Sequence, residues 1–307
     1  MDLEPLEPPR LGLEPLQEAL DLPPDTLLGQ AETSTHLPSL YQGGDIKAFM
    51  KVLVVGAGPA GLACAEQILK HSNYEVVLVE SKGKVGEKPK CAGGVSQYML
   101  EKADCNIPSE AIIAHIKRAR VYSPNGKYWE LKGEKPYGFV LDRSIFEAKM
   151  AERVENLGGK IITNYRVTRQ TLAKLEDEYD FIIGADGFPS TVRLWLGLPM
   201  PSPEDIHICV QKTITMDYYP QDTVEVYFGS LAPGGYAWIF PAGKNHVRIG
   251  LGVPLKYCKK GLNPNMLLER FIERQTVNYE VLEKVAKVIP TAKPNFMNKQ
   301  KPNTLLA

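Results

Sequence analysis

The chain lacks an excess of charge of either sign: 36 lysines and arginines balance 36 aspartates and glutamates in 307 residues. That balance gives no electrostatic argument for a nucleic-acid partner, whose phosphates call for a basic face. No apolar run approaches the roughly 20 residues needed to cross a bilayer, and the first residues are acidic and proline-rich where a secretory signal would be basic and then apolar. The five cysteines, Cys64, Cys91, Cys105, Cys209 and Cys258, form no C-x-x-C pair. A zinc or iron–sulfur site is therefore not expected, and reduced thiols in a cytoplasmic protein are the default. There is no G-x-S-x-G elbow to support an esterase, no solenoid-type repeat, and no second glycine fingerprint to mark a separate nicotinamide domain.

What is present begins at Lys51. Val52, Leu53, Val54 and Val55 form a short apolar run, then Gly56, Gly58 and Gly61 stand in G-x-G-x-x-G order, and Leu62 to Lys70 follow at helical spacing. Gly56 suits a tight turn, Gly58 lets a pyrophosphate approach the backbone, and Gly61 lets the helix pack closely on the strand. Pro59 fits the first helical turn, whose amides lack partners, and with Ala60 it completes the predicted diphosphate cradle. A second strand, Val76 to Val79, ends at Glu80 and Ser81. A carboxylate about 20 residues beyond the turn can accept hydrogen bonds from the adenosine ribose and would repel a 2′-phosphate. Strand, turn, helix, strand and acid together read as a dinucleotide-binding unit.

Residues 1–49 are rich in Pro, Leu and acids and are expected to be a disordered tail. Met50 lies directly before the first strand, which suggests a translation start there. A dinucleotide-binding domain is expected over 50–200, with a helix near Val95 to Ala103 and an inserted hairpin near 117–131. In that hairpin Lys117–Tyr122 and Lys127–Leu131 are turned by Ser123-Pro124-Asn125-Gly126. A helix from Arg143 to Leu157 stops at Gly158-Gly159, and strands follow at Lys160–Thr163 and Asp180–Ile183. Alternating segments from Ile206 to Gly252 predict an antiparallel sheet, and Pro264 to Ile289 a helical region, in a second domain over 201–295. The apolar Thr304-Leu305-Leu306-Ala307 resembles the opening of another strand, so 296–307 is expected to begin a return to the first domain in a chain that is a fragment.

A strand running into Gly184-Ala185-Asp186-Gly187, followed by Ser190 and Val192-Arg193, puts a carboxylate and a flexible glycine at a strand's C-terminal end, where such sheets bind ligands. Paired with the glycine turn, this resembles the flavoprotein hydroxylase superfamily, which implies FAD rather than NAD, with Asp186 and Gly187 near its pyrophosphate and ribityl chain. Two more stretches are Cys91-Ala92-Gly93-Gly94-Val95-Ser96 and Pro233-Gly234-Gly235-Tyr236-Ala237-Trp238-Ile239-Phe240-Pro241, the latter followed by Gly250 and Gly252. The combination resembles the geranylgeranyl reductase family from Met50 to Ala307, and the Tyr-x-Trp-x-Phe-Pro segment is its most specific element. The resemblance implies an α/β fold: a Rossmann-like FAD-binding domain with a second, mainly antiparallel sheet domain for substrate. It implies saturation of carbon–carbon double bonds in isoprenoid chains, with archaeal-type phospholipids favoured over chlorophyll-type prenyl chains. A prenyl lipid is then the partner, contact with a membrane surface stays open, and the electron donor is reduced ferredoxin or NAD(P)H.

The residues themselves permit this chemistry and also plainer roles. In a strand Tyr236, Trp238 and Phe240 share one face and could line an apolar groove, although aromatic stripes more often pack a core. Pro241 is expected to end the pairing and pin the groove's edge. Cys91 is either a small buried apolar residue or, beside Gly93 and Gly94 whose backbone a flat ring can approach, part of the flavin site. The resemblance places this loop beside the isoalloxazine and makes Arg143 a cofactor contact; by residue type alone Arg143 is equally a surface arginine. Lys244, His246 and Arg248 alternate, as a solvated face or as a lipid-phosphate contact. An isolated alkene accepts hydride poorly, so a proton donor must act with the reduced flavin, and Cys91 and Tyr236 are the candidates. The family carries a further Gly-Asp-Ala-Ala-Gly motif beyond the point where this chain stops. A flavin-dependent aromatic monooxygenase and an inactive nucleotide-binding fragment remain the competing readings.

Overall fold

The structure, a computed structural model, describes residues 50–103, 105–291 and 301–307. The tail expected over 1–49 lies outside the described residues. The chain opens with strand β1 (Lys51–Val55), helix α1 (Pro59–His71) and β2 (Glu75–Val79), then β3 (Gly94–Ser96) and a short α2 (Gln97–Lys102). Strands β4 (Ile112–Ile116), β5 (Arg118–Tyr122), β6 (Tyr128–Lys132) and β7 (Gly138–Leu141) lead to α3 (Arg143–Asn156), β8 (Lys160–Ile162), α4 (Arg169–Leu175), β9 (Phe181–Gly184) and α5 (Thr191–Trp195). The second half consists of β10 (Ile206–Thr215), β11 (Thr223–Tyr227), β12 (Tyr236–Pro241), β13 (His246–Pro254), α6 (Leu255–Cys258), α7 (Pro264–Glu273), β14 (Val281–Pro290) and β15 (Thr304–Leu306).

Three sheets result. A five-stranded sheet has the order β15-β9-β1-β2-β8 and pairs in parallel throughout. Apart from a polar first residue in β1, β2, β8 and β15, its strands are apolar throughout, because both faces are covered. Val52, Val54, Val76 and Leu78 enter one core with α1 and α3, while Leu53, Val55, Val77 and Val79 enter another with Leu172 and Leu175 of α4. The apolar segment at Thr304 forms β15 beside β9.

The seven-stranded sheet runs β14-β10-β13-β12-β11-β5-β6. Here apolar and polar residues alternate, as expected when one face is packed. Ile208, Val210, Ile239, Ile249 and Leu251 turn toward Leu268, Phe271 and Ile272 of α7. The opposite face carries Cys209, Gln211, Gly250, Gly252 and the aromatic row. A small sheet, β3-β7-β4, covers one end of that face through Ala114, Ile116 and Val140, which pack with Val224 and Phe240.

Two expectations are corrected and one is extended. The hairpin forms, with Ser123 N–H donating to Lys127 O at 2.8 Å; it lies in sequence between β2 and β8 of the parallel sheet, but β5 pairs in parallel with β11, so the inserted hairpin extends the seven-stranded sheet. Its Tyr122 ring stacks on Tyr227 with centroids 4.3 Å apart. The helix expected at Val95 begins only at Gln97, because Gly94–Ser96 pairs with Gly138–Val140 first and Ser96 caps the helix by accepting from Met99 N–H at 3.2 Å. The helical reading of Pro264 to Ile289 holds only to Glu273. The β-branched segment from Val281 instead pairs antiparallel with β10 along nearly its whole length, a case of tertiary pairing overriding local pattern.

Candidate active site

The order β9-β1-β2 brings three loops to one edge, the C-terminal ends of the parallel strands. The turn after β1 needs Gly56 at φ +104°, and a Cβ on Gly61 would run into the Gly56 carbonyl oxygen, so turn and helix touch with no room for a side chain. Gly58 is different: a Cβ there would meet nothing within 4 Å. It caps α1 without a side-chain hydrogen bond, Pro59 follows, Ala60 is exposed, and no acid occupies the first turn. Open space in front of free amides at a helix N-terminus suits a diphosphate. Glu80 is held toward this turn, accepting from Ala57 N–H at 3.1 Å, Ser81 Oγ–H at 3.1 Å and Lys82 N–H at 2.9 Å.

From β9, Asp186 accepts from Ser190 Oγ–H and Thr191 N–H, both at 2.6 Å, and from Val192 N–H at 3.2 Å. Its carboxylate thus fixes the start of α5. Gly187 beside it has open space around its Cβ position. The residues at this edge fit a dinucleotide such as FAD: a side-chain-free cradle, uncapped amides and a carboxylate at the ribose distance along the chain.

The Cys91 loop crosses from this edge to the seven-stranded sheet. Cys91 is exposed, and its Sγ accepts from Gly93 N–H at 3.3 Å. Arg248 Nη1 donates to Ala92 O at 2.9 Å and Leu141 O at 3.1 Å. A Cβ on Gly94 would lie 2.5 Å from Phe240 Cε2, so the loop rests directly on the aromatic row. Cys91, Asp142, Arg143 and Arg248 line one cleft of about 750 Å³. Arg143 opens α3 behind the Asp142 cap and pairs with Glu147, Nε donating to Oε1 at 2.9 Å.

Arg248 corrects the triplet reading. It is neither a solvated strand residue nor a free lipid contact, but a bracket between β13 and the Cys91 loop, and burial holds its guanidinium below the usual arginine range. Lys244 sits in the turn before β13 and is exposed.

The aromatic row stays out of the core against α7: Phe240 packs beneath the small sheet, and the row opens toward Tyr236. Tyr236 is 48% exposed, and its ring lies 5.9 Å from Trp238 and 6.1 Å from Phe228. Burial, followed by the proximity of Cys209 and Cys91, pushes the Tyr236 hydroxyl up from its ordinary value. Pro241 departs from expectation. Five residues from Tyr236 it faces the opposite, buried side and pairs in register with Val247, and Ala242 N–H continues the ladder to His246 O at 2.9 Å. Pro241 is a core residue and no wall of the groove.

Two residues on this face escaped the sequence reading. Register aligns Cys209 with Gly252 and Tyr236, and Gln211 with Gly250 and Trp238. Burial pushes the Cys209 thiol up to about 12. The available signal was the alternation in Ile206-His207-Ile208-Cys209-Val210-Gln211, whose polar members had to share the aromatic row's face once the strands were adjacent.

Comparison with known proteins agrees with this geometry. A model described as geranylgeranyl reductase catalytic domain matches residues 205–289, and one described as pyridine nucleotide-disulphide oxidoreductase matches 50–215. A digeranylgeranylglycerophospholipid reductase of Methanosarcina acetivorans is 33% identical over 267 residues, 80% of this chain and 65% of the relative. The one from Methanocella arvoryzae is 32% identical over 266 residues, 80% of this chain and 67% of the relative. The chain thus spans about two thirds of the length of these curated relatives. Among solved structures, a geranylgeranyl bacteriochlorophyll reductase-like protein from Thermoplasma acidophilum superimposes with a TM-score of 0.74 at 25% identity, covering 84% of this chain and 71% of the other. A probable FAD-dependent monooxygenase from Pseudomonas aeruginosa, 16% identical with a TM-score of 0.55 over 84% of this chain and 78% of its own, shares the fold.

Proposed function

The chain belongs to the geranylgeranyl reductase family, and from that we propose that it is an FAD-dependent oxidoreductase that saturates carbon–carbon double bonds of isoprenoid chains carried on archaeal-type phospholipids. The observation that carries this reading is the aromatic row on an open sheet face in direct contact with the Cys91 loop. Gly56, Gly58, Pro59, Ala60 and Gly61 would hold the diphosphate, Glu80 and Ser81 the adenosine side, and Asp186, Gly187 and Arg143 the central part, with Cys91, Gly93 and Gly94 against the ring. Reduced FAD supplies the hydride when bound.

The chain's own residues do the rest. Tyr236, Trp238 and Phe240 offer flat apolar surface to a prenyl tail and hold a double bond at the loop, which converts a bimolecular encounter into an oriented one. Tyr236 Oη, a phenol whose pKa burial raises from its ordinary value, and Cys91 Sγ are the candidates to protonate the second carbon. The lipid substrate brings the protein to a membrane surface without a span; among the described residues no helix is long and apolar enough to cross a membrane.

The test is anaerobic incubation of the full-length, flavin-loaded protein with unsaturated prenyl phospholipids, with reduced ferredoxin and NAD(P)H offered in parallel as donors. Product masses should rise by two hydrogens per reduced bond. Turnover that instead requires oxygen would establish a monooxygenase and end this reading. Cys91→Ala should lower turnover while flavin absorbance is retained; unchanged saturation would remove Cys91 from the proton-donor role.

A further inference from the structure

Strand β13 alternates Ile249, Leu251 and Val253 on its core face with Arg248, Gly250 and Gly252 on the open face. Two glycines in succession on one side of a central strand leave a trough with no side chains. The aromatic row of β12 forms one bank and Cys209, Gln211 and Thr213 of β10 the other, since Gly250 pairs with Trp238 on one side and Gln211 on the other.

Trp238 does not stay on its own bank. A Cβ on Gly250 would lie 2.5 Å from Trp238 Cζ2 and 2.7 Å from Cε2, so the indole occupies the space a side chain at 250 would fill. Across the trough its Nε1–H donates to Gln211 Oε1 at 3.1 Å. Gln211 is only 5% exposed, and a buried amide is costly unless paired. The space above Gly252 is less crowded. Around its Cβ position the indole's nearest atom is 4.0 Å away and Cys209 Sγ 3.0 Å.

We propose that Gln211 is a positioning residue that pins Trp238 across the glycine trough, and that the pinned indole is the stop that sets how far an isoprenoid tail runs along it. The tail lies over Gly252, flanked by Tyr236, and the stop selects which double bond reaches the Cys91 loop. This rests on the reading of the substrate as a prenyl lipid. Without the hydrogen bond the partly exposed indole gains alternative rotamers, and the tail loses its single register.

The test uses the full-length, flavin-loaded protein and a digeranylgeranyl phospholipid. Gln211→Leu removes the acceptor. It is expected to raise KM roughly three- to tenfold, the range of one hydrogen bond, with a smaller change in kcat and a broader mixture of partly saturated products. Gln211→Glu, which keeps an oxygen at the same reach, should restore the wild-type pattern. Trp238→Phe, which also shrinks the stop, should raise KM at least as much as Gln211→Leu, and the double variant should be no worse than Trp238→Phe alone, since Gln211 acts only through the indole. Fully additive effects, or a wild-type KM and product pattern in Gln211→Leu, would overturn the proposal.

A readout independent of turnover is the emission of Trp238 with Trp129 and Trp195 replaced by Phe. Gln211→Leu should shift it to the red and Gln211→Glu should not. An unshifted emission overturns the pinning even in an active enzyme. A wild-type protein that reduces no prenyl lipid overturns the substrate reading, while the emission still decides whether Gln211 holds the indole.

Discussion

The two large sheets divide their faces differently, and the difference explains where each does its work. The parallel sheet is buried on both sides, Val54 and Leu53 each being fully enclosed in separate cores. Only its C-terminal edge is left to meet a ligand, and there the backbone itself is the ligand surface. The antiparallel sheet buries one face against α7 and leaves the other to Tyr236, Trp238 and Gln211. Its binding surface is made of side chains. In the proposed function one sheet would offer amides to the cofactor and the other rings to an apolar chain; the Cys91 loop, bracketed by Arg248, joins the two sheets.

That contrast can be broken most sharply at Phe271, fully buried beneath the closed face. Phe271→Ala should cost about 3–5 kcal/mol in chemical denaturation, and a much smaller loss would mean that this face is not the core. At the parallel sheet's edge, Gly61→Ala should cost about 1–3 kcal/mol by overpacking against Gly56 and should lower flavin retention, seen as visible absorbance per chain. Normal yellow colour in that variant would contradict the proposed diphosphate cradle.

Alkali probes both sheets at once. Tyr219, beneath the antiparallel sheet with its hydroxyl donating to Ile239 O at 3.1 Å, is pushed well up by burial, then by Glu225 and Tyr122. Tyr179, on the parallel side, is pushed up to about 12 by burial, then by Glu178, Glu75 and Tyr165. An unfolded tyrosine releases its proton near pH 10, so above that pH the native state binds more protons and stability falls as pH rises, by at most about 1.4 kcal/mol per unit per tyrosine. Below pH 10 both states hold the proton and this dependence vanishes. Tyr219→Phe should flatten the slope between pH 10 and 12 in denaturation measured across that range; an unchanged slope would show that Tyr219 does not contribute to it.

A further effect lies on the open face. Trp238→Ala should cost about 1–3 kcal/mol, because it leaves the buried Gln211 amide unpaired, less than Phe271→Ala on the other side of the same sheet, while raising KM for the prenyl lipid. A loss equal to that of Phe271→Ala would make the aromatic row a core after all.

The nucleotide turn was readable residue by residue because its requirements are local. Gly56, Gly61 and Glu80 act within one strand-turn-helix-strand unit, and spacing alone carries the geometry. The open face was readable only in part. Tyr236, Trp238 and Phe240 share a side by the period of two, but the same rule puts Pro241 on the opposite side, against the expectation that it pins the groove. The role of Arg248 was not legible in the sequence, because its partners, Ala92 and Leu141, lie more than 100 residues away. The segment from Val281 was read as helix because nothing within it announces that β10 will be its neighbour.

By itself the sequence determined the dinucleotide turn, the family and the set of aromatic residues, since each is written in short-range spacing and residue type. The tertiary structure alone decided that the aromatic row faces outward, that Arg248 ties the Cys91 loop to the sheet, and that Gln211 reaches Trp238. These depend on which strands become neighbours and in what register, and that choice is made by burial summed over the whole chain, not by any one stretch of it.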